Sequence, residues 1–243
     1  MYSITLEINQ KCNLKCKYCY LGEKSGSKME ISTALKAIDM AFLKVKAHRD
    51  HKLWFDFVGG EALLDFEMLK SLVEYIEKKN QEDCNELLFS ITTNATIFNY
   101  EIVTFLIEKQ FALKVSIDGS KEINDRNRIS SIGYSVHDKI IDNLKYIRLF
   151  QERTGRYVQV TNVITQNNYE SLVYLTKTLG FKMIDTALDL SVLWTNEQME
   201  ILSRQIKKSF AYFIEQAEKQ NGFYWEFAEK VIKFREPIQK ING

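Results

Sequence analysis

Short runs of β-branched and aromatic residues alternate along this chain with longer stretches whose apolar positions recur every three or four residues. That alternation predicts βα units arranged around a parallel sheet. The runs that read as strands are 3–9, 53–58, 87–93, 112–117, 158–164 and 183–193. Helical period is clearest between them at 32–45, 66–79, 99–109, 137–153 and 168–178. In the first of these, Leu35, Ile38, Met40, Phe42 and Val45 describe one broad apolar face for packing on the sheet, with Ser32 as the expected N-cap. Two more helical segments, 196–219 and 225–234, follow the sixth strand, and no seventh or eighth strand is expected before Pro237 and a short polar tail.

Six βα units leave a sheet that need not close. The expected fold is therefore α/β, a partial (β/α)6 TIM-like barrel with a parallel sheet and extra C-terminal helices, its open side available to a large substrate or partner. With 243 residues, 45% of them hydrophobic, the chain can bury a substantial core, and 1–243 is expected to form one domain with a helical extension from about residue 196.

Charge excludes some partners. Lys and Arg number 33 against 32 Asp and Glu, and a net charge of +1 makes no long-range field for phosphate backbones or anionic lipid. Neither nucleic acid nor a membrane is expected as a partner. The opening MYSITLEINQ lacks a basic flank, apolar core and cleavage site, and no apolar run reaches spanning length, so a cytoplasmic location is expected. Three of the four cysteines lie within eight residues, a crowding that favours a metal site over disulfides in a chain without a secretory signal. Cys84 stands apart in a polar turn and reads as a bystander.

The crowded segment is Cys12-Asn-Leu-Lys-Cys16-Lys-Tyr-Cys19, directly after the first strand. Three thiolates are one too few for a closed tetrahedral zinc site, whereas a four-iron cluster held by three cysteines keeps one iron open. A zinc loop completed by Cys84 or a histidine is the plain alternative. A C-x3-C-x2-C loop with an aromatic residue before the last cysteine, here Tyr18, resembles the signature of the radical S-adenosylmethionine (SAM) superfamily. The resemblance implies that Cys12, Cys16 and Cys19 hold a 4Fe-4S cluster. It also implies that SAM chelates the open iron and is cleaved reductively to a 5'-deoxyadenosyl radical.

Other strand ends extend the resemblance. Gly59-Gly60-Glu61 follows the second strand and looks like the family's Gly-Gly-Glu motif, which receives the amino group of SAM; its glycines would let backbone approach a ligand closely. A plain βα turn is the alternative reading. Ala62 replaces the usual proline, and Val58 stands where many relatives place a polar residue. Thr92-Thr93-Asn94-Ala95-Thr96 resembles the family's Thr-Asn-Gly-Thr turn, with Asn94 either a SAM contact or a turn residue.

After the fourth strand, Ser116 and Asp118 stand two residues apart on one face, a pair suited to ribose hydroxyls. The stretch 116–128, SIDGSKEINDRNR, resembles the matching segment of anaerobic sulfatase-maturating enzymes and of SPASM-type peptide (RiPP) maturases, with Asn124 where histidine is common. By that resemblance Ser116 and Asp118 face SAM, and Arg128 pairs with a carboxylate or remains a solvated loop arginine. Asn162 and Thr165 could reach SAM and Leu193 could pack on adenine, with strand-core or loop packing as the alternative.

The resemblance implies a radical SAM enzyme that modifies a peptide or protein side chain and draws electrons from a flavodoxin- or ferredoxin-type donor. A small-molecule or cofactor precursor as substrate, and a barrel that binds metal or SAM without turnover, are the competing readings. Such relatives usually continue into a cysteine-rich C-terminal domain, and no cysteine follows Cys84 here.

Overall fold

The computed structural model describes residues 1–22, 24–164 and 166–235. Its strands are β1 Tyr2–Glu7, β2 Lys52–Val58, β3 Glu86–Thr93, β4 Ala112–Ser116, β5 Gln159–Ile164, β6 Met183–Leu188 and β7 Tyr224–Trp225. They pair in chain order, every neighbour parallel, and β1 and β7 remain as edges. The sheet is open, as the count of βα units led one to expect. Between strands lie α1 Ile31–Val45, α2 Phe66–Asp83, α3 Tyr100–Glu108, α4 Lys121–Asn127, α5 Val136–Thr154 and α6 Asn168–Val173, the last continuing as a π-helical turn, Tyr174–Thr178. The long α7 Asn196–Glu218 precedes β7, and α8 Glu226–Arg235 follows it. Among the described residues no helix is long and apolar enough to cross a membrane.

Alternation along the strands separates two faces. Leu53, Phe55 and Phe57 of β2 are fully buried, while Lys52, Trp54, Asp56 and Val58 between them are only partly so. The buried set faces the helices: the Phe42 ring of α1 lies 6.2 Å from Phe55. Phe55, Phe57, Phe89 and Phe111 continue from there as a chain of rings 5.3 to 6.4 Å apart. The opposite, concave face carries Asp56, Ser90, Lys114, Thr161 and Asp185. A closed barrel fills that space with branched apolar side chains; here the core lies only between sheet and helices.

Three expectations are corrected. A seventh strand exists, because Trp225 is fully buried and its Nε1 donates to Thr186 Oγ1 at 2.9 Å, holding Tyr224–Trp225 against β6; two residues are too few to show a period. The sixth strand stops at Leu188 because the chain then turns on Asp189, whose Oδ1 accepts from Ser191 N at 2.9 Å and whose carbonyl accepts from Trp194 Nε1 at 2.8 Å. Ser32 lies inside the first turn of α1, with Glu30 at the cap position and no side-chain cap bond.

Phe57 sits mid-chain among the stacked rings with no exposure. Phe57→Ala is expected to lower unfolding free energy by about 3–5 kcal/mol in guanidinium titrations; a loss below about 1 kcal/mol would show that the site collapses around the vacancy.

Candidate functional site

The link from β1 to α1 carries Cys12, Cys16 and Cys19 past the C-terminal end of β1, and it is tied on three sides. Toward β2, Gly60 N donates to Asn9 O at 2.9 Å and Glu61 N to Lys11 O at 2.7 Å. Toward β3, Asn13 Nδ2 donates to Thr96 Oγ1 at 2.7 Å and Asn94 Nδ2 to Asn13 Oδ1 at 2.9 Å. On the third side Lys15 N, Lys17 N and Ser131 N donate to Ile129 O, Asn127 O and Asn13 O at 2.7, 3.0 and 3.0 Å, an antiparallel ribbon joining 13–17 to 127–131.

This arrangement changes the reading of the two glycines. A Cβ on Gly60 would lie 2.2 Å from Lys11 O and 2.6 Å from Lys11 C, and one on Gly59 would lie 2.7 Å from Asn9 O. Their lack of a side chain lets the cysteine loop close on the end of β2, so the close approach is between two stretches of this chain. Glu61 is buried, and its carboxylate accepts from Leu63 N at 3.1 Å, Thr93 Oγ1 at 2.8 Å and Asn94 N at 2.7 Å. Burial pushes that carboxyl upward in pKa while the three donors pull it down. Its side chain joins the ends of β2 and β3.

The three cysteines are free, half-buried thiols lining one cavity of about 350 Å³. Tyr18, Gly59, Gly60, Glu61, Asn94, Ser116 and Arg128 line it too, so the expected SAM contacts other than Asp118 meet there. Cys12 Sγ accepts from Leu14 N at 3.4 Å and stands 3.9 Å from Asn94 Nδ2. Burial raises the Cys16 thiol, and the positive charges of Arg128 and Lys24 work against that rise. Among the described residues no three His, Cys, Asp or Glu side chains are gathered for a single ion. One zinc would require its sulfurs about 3.8 Å apart. A four-iron cluster takes each thiolate on a different iron and needs no such convergence, so a half-buried trio around one cavity fits the cluster better than a lone ion.

Asp118 does not line the cavity. It is fully buried; its Oδ1 accepts from Arg128 Nη2 at 2.9 Å and from Val163 N at 3.0 Å, and its Oδ2 accepts from the Tyr18 hydroxyl. Arg128 thus forms a buried ion pair with Asp118. The guanidinium also lies 5.4 Å from the Tyr18 ring centroid. Burial opposes the Arg128 charge, yet the Asp118 carboxylate beside it holds its pKa above the usual value. Burial also pushes the Tyr18 phenol well up, so it stays protonated and donates. Asn124, in place of the histidine, accepts from Asp118 N at 3.1 Å.

The remaining expectations divide. Asn162 belongs to the helix-facing side, where Thr186 Oγ1 donates to its Oδ1 at 2.9 Å; Leu193 is 97% exposed, and Thr165 lies outside the described residues. Cys84 is exposed at the left-handed C-cap of α2, φ 52°. Lys24, Thr161 and Val163 line the cavity without having been singled out. Alternation along β5 would have paired Thr161 with Ser116, its register partner; no local signal marks Lys24. A larger apolar groove of about 740 Å³ between α7 and α8, lined by Leu202, Phe210, Ile214 and Phe227 among others, includes none of the cysteines.

A model of the radical SAM superfamily matches residues 6–173. An uncharacterised protein of Methanocaldococcus jannaschii is 32% identical over 179 residues, which are 74% of this chain and 58% of that protein. A cysteine-type anaerobic sulfatase-maturating enzyme of Clostridium novyi is 26% identical over 181 residues, 71% of this chain and 45% of the enzyme. The chain thus spans about half the length of these relatives. In fold it is similar to native anSMEcpe solved with bound AdoMet and the Kp18Cys peptide: TM-score 0.77, 22% identity, covering 93% of this chain and 63% of that one.

Because the Gly60 position abuts backbone, Gly60→Ala forces the cysteine loop off β2. The expected loss is about 2 kcal/mol or more of stability in chemical denaturation of the apoprotein. Wild-type stability in this variant would show that the loop yields without cost.

Proposed function

Because this chain belongs to the radical SAM superfamily, we propose that it holds one 4Fe-4S cluster on Cys12, Cys16 and Cys19, binds SAM beside it, and modifies a side chain of a peptide or protein. When bound, the cluster and SAM supply a 5'-deoxyadenosyl radical that takes a hydrogen atom from substrate. The observation that carries the reading is three free thiols lining one cavity with Gly59 and Gly60, a buried arginine and hydroxyl residues of β3, β4 and β5.

The chain's own groups support distinct tasks. Leu14 N and Asn94 Nδ2 stand toward Cys12 Sγ and orient that side chain. The carbonyls of Gly59 and Gly60 suit an ammonium group, and Ser116 and Thr161 supply hydroxyls at the cavity wall. Arg128, anchored on Asp118, brings a fixed positive charge suited to a carboxylate. Reduction of the cluster calls for a one-electron donor of flavodoxin or ferredoxin type. A peptide or protein substrate is supported by the sulfatase-maturating relative, by a fold neighbour solved with a peptide, and by an open concave face.

Anaerobic reconstitution with iron and sulfide, then dithionite and SAM, is expected to yield 5'-deoxyadenosine by chromatography. Cys16→Ala should lose the brown chromophore and that product together, and Cys84→Ala should keep both. A saturated zinc centre without iron-sulfur absorption would overturn the proposal, and a full cluster without 5'-deoxyadenosine would reduce it to binding without turnover.

A further inference from the structure

The positive charge of this chain is gathered beside its cysteines. Segments 11–28 and 126–132 hold seven Lys and Arg residues and one acid, Glu23, although the whole chain is nearly balanced at 33 against 32. Three of the seven are engaged: Lys28 pairs with Asp65 at 2.5 Å, Arg128 with Asp118 at 2.9 Å, and Lys24 donates to Leu14 O. Lys11, Lys15, Lys17 and Arg126 are exposed and form no ion pair among the described residues.

The ribbon that joins 13–17 to 127–131 has two faces. Leu14 pairs with Ser130 across it, and alternation carries Leu14, Cys16, Arg128 and Ser130 inward, where Cys16 and Arg128 line the cavity. Lys15, Lys17 and Ile129 are left outside; Ile129 is 41% exposed, and Ile132 just beyond it is 86% exposed. Exposed apolar residues rimmed by charge mark a surface that meets another protein. Lys15 and Lys17 are the chain neighbours of Cys16, so a molecule resting here sits directly behind one of the three thiols.

A cationic, partly apolar surface behind a redox ligand fits a negatively charged electron carrier. We propose that the outer face of this ribbon is the docking surface for an acidic one-electron donor, which loses one electron to the cluster from the Cys16 side with no bond made or broken. The inference rests on the 4Fe-4S reading and gives the donor a place on the chain. Opposite charges steer such encounters, and electron-transfer complexes bury little area, so a few exposed side chains suffice.

The reconstituted holoenzyme, its cluster oxidised, is titrated in a calorimeter with an oxidised acidic flavodoxin and with an acidic ferredoxin. Binding to at least one is expected to saturate and to weaken about tenfold from low to physiological ionic strength. Lys15→Gln/Lys17→Gln should weaken it about threefold and Lys15→Glu/Lys17→Glu about tenfold, both keeping the backbone N–H groups that tie the ribbon. Lys207→Glu/Lys208→Glu, at exposed positions of α7, makes the same charge change elsewhere and should shift affinity by less than about twofold. No saturable binding to either carrier, affinity indifferent to the loop variants, or an equal loss in the α7 variant would each overturn the docking surface. Displacement of the carrier by an equal concentration of mixed-sequence duplex DNA would do the same. Dithionite bypasses docking: 5'-deoxyadenosine formed with it after such a result strikes the surface alone, and none formed strikes the 4Fe-4S reading instead.

Discussion

The backbone contact between Gly60 and Lys11 decides where the three cysteines stand, and the rest of the site is built outward from it. A loop this long loses about 1–2 kcal/mol of backbone entropy per ordered residue, while each hydrogen bond returns about 1 kcal/mol net. The ties from Gly60, Glu61, Asn94 and the 127–131 ribbon therefore cannot order it unaided. Burial of Ile8 and Leu14, at 0% and 1% exposure, supplies the apolar share. The ties come from three separate βα connections, so the thiols take their positions only once the sheet has formed.

The same division of labour explains Asp118. On the proposed reading, SAM brings ribose hydroxyls into the cavity, and a carboxylate two residues from Ser116 is an obvious partner on paper. Breaking its buried pair with Arg128 costs about 3–5 kcal/mol because a guanidinium is left unpaired. Hydrogen bonds from ribose hydroxyls to a carboxylate return about 1.5–3 kcal/mol each, a gain of similar size. In this structure Asp118 stays with Arg128 and Tyr18, and Thr92, Ser116 and Thr161 bring hydroxyls to the cavity wall. Tyr18 is then more than a flat wall beside Cys19, because its phenol ties the cysteine loop to the end of β4.

Most of the architecture was legible because it rests on period. Strands one to five and their crossover helices alternate cleanly, and the cysteine spacing with the glycine pair after β2 placed the site at strand ends. What was missed depends on distance in sequence. The two-residue β7 has no period and exists because Trp225 reaches Thr186 across 39 positions. Ser116 and Asp118 share a face of an ideal strand, but β4 ends at Ser116, and the bend that follows turns the carboxylate inward. Asn13 and Lys24 look like ordinary loop residues until the fold brings Thr96 and Leu14 O to them.

The open sheet bears on substrate size through polarity. An apolar small molecule is held best by an enclosed apolar pocket with few polar groups, and the concave face here offers the reverse: Trp54 Nε1 bonded to Ser90 Oγ at 2.7 Å, Asp56 accepting from Ser90, and Lys114 Nζ 3.8 Å from Asp56. An extended peptide brings an N–H and a C=O at nearly every residue, and each must find a partner when water is displaced. A half-solvated polar wall between two free sheet edges meets that demand without closing over the ligand. On the proposed reading, this polar face accommodates a polypeptide rather than a compact apolar ligand. The apolar groove between α7 and α8 has the opposite character and includes none of the cysteines.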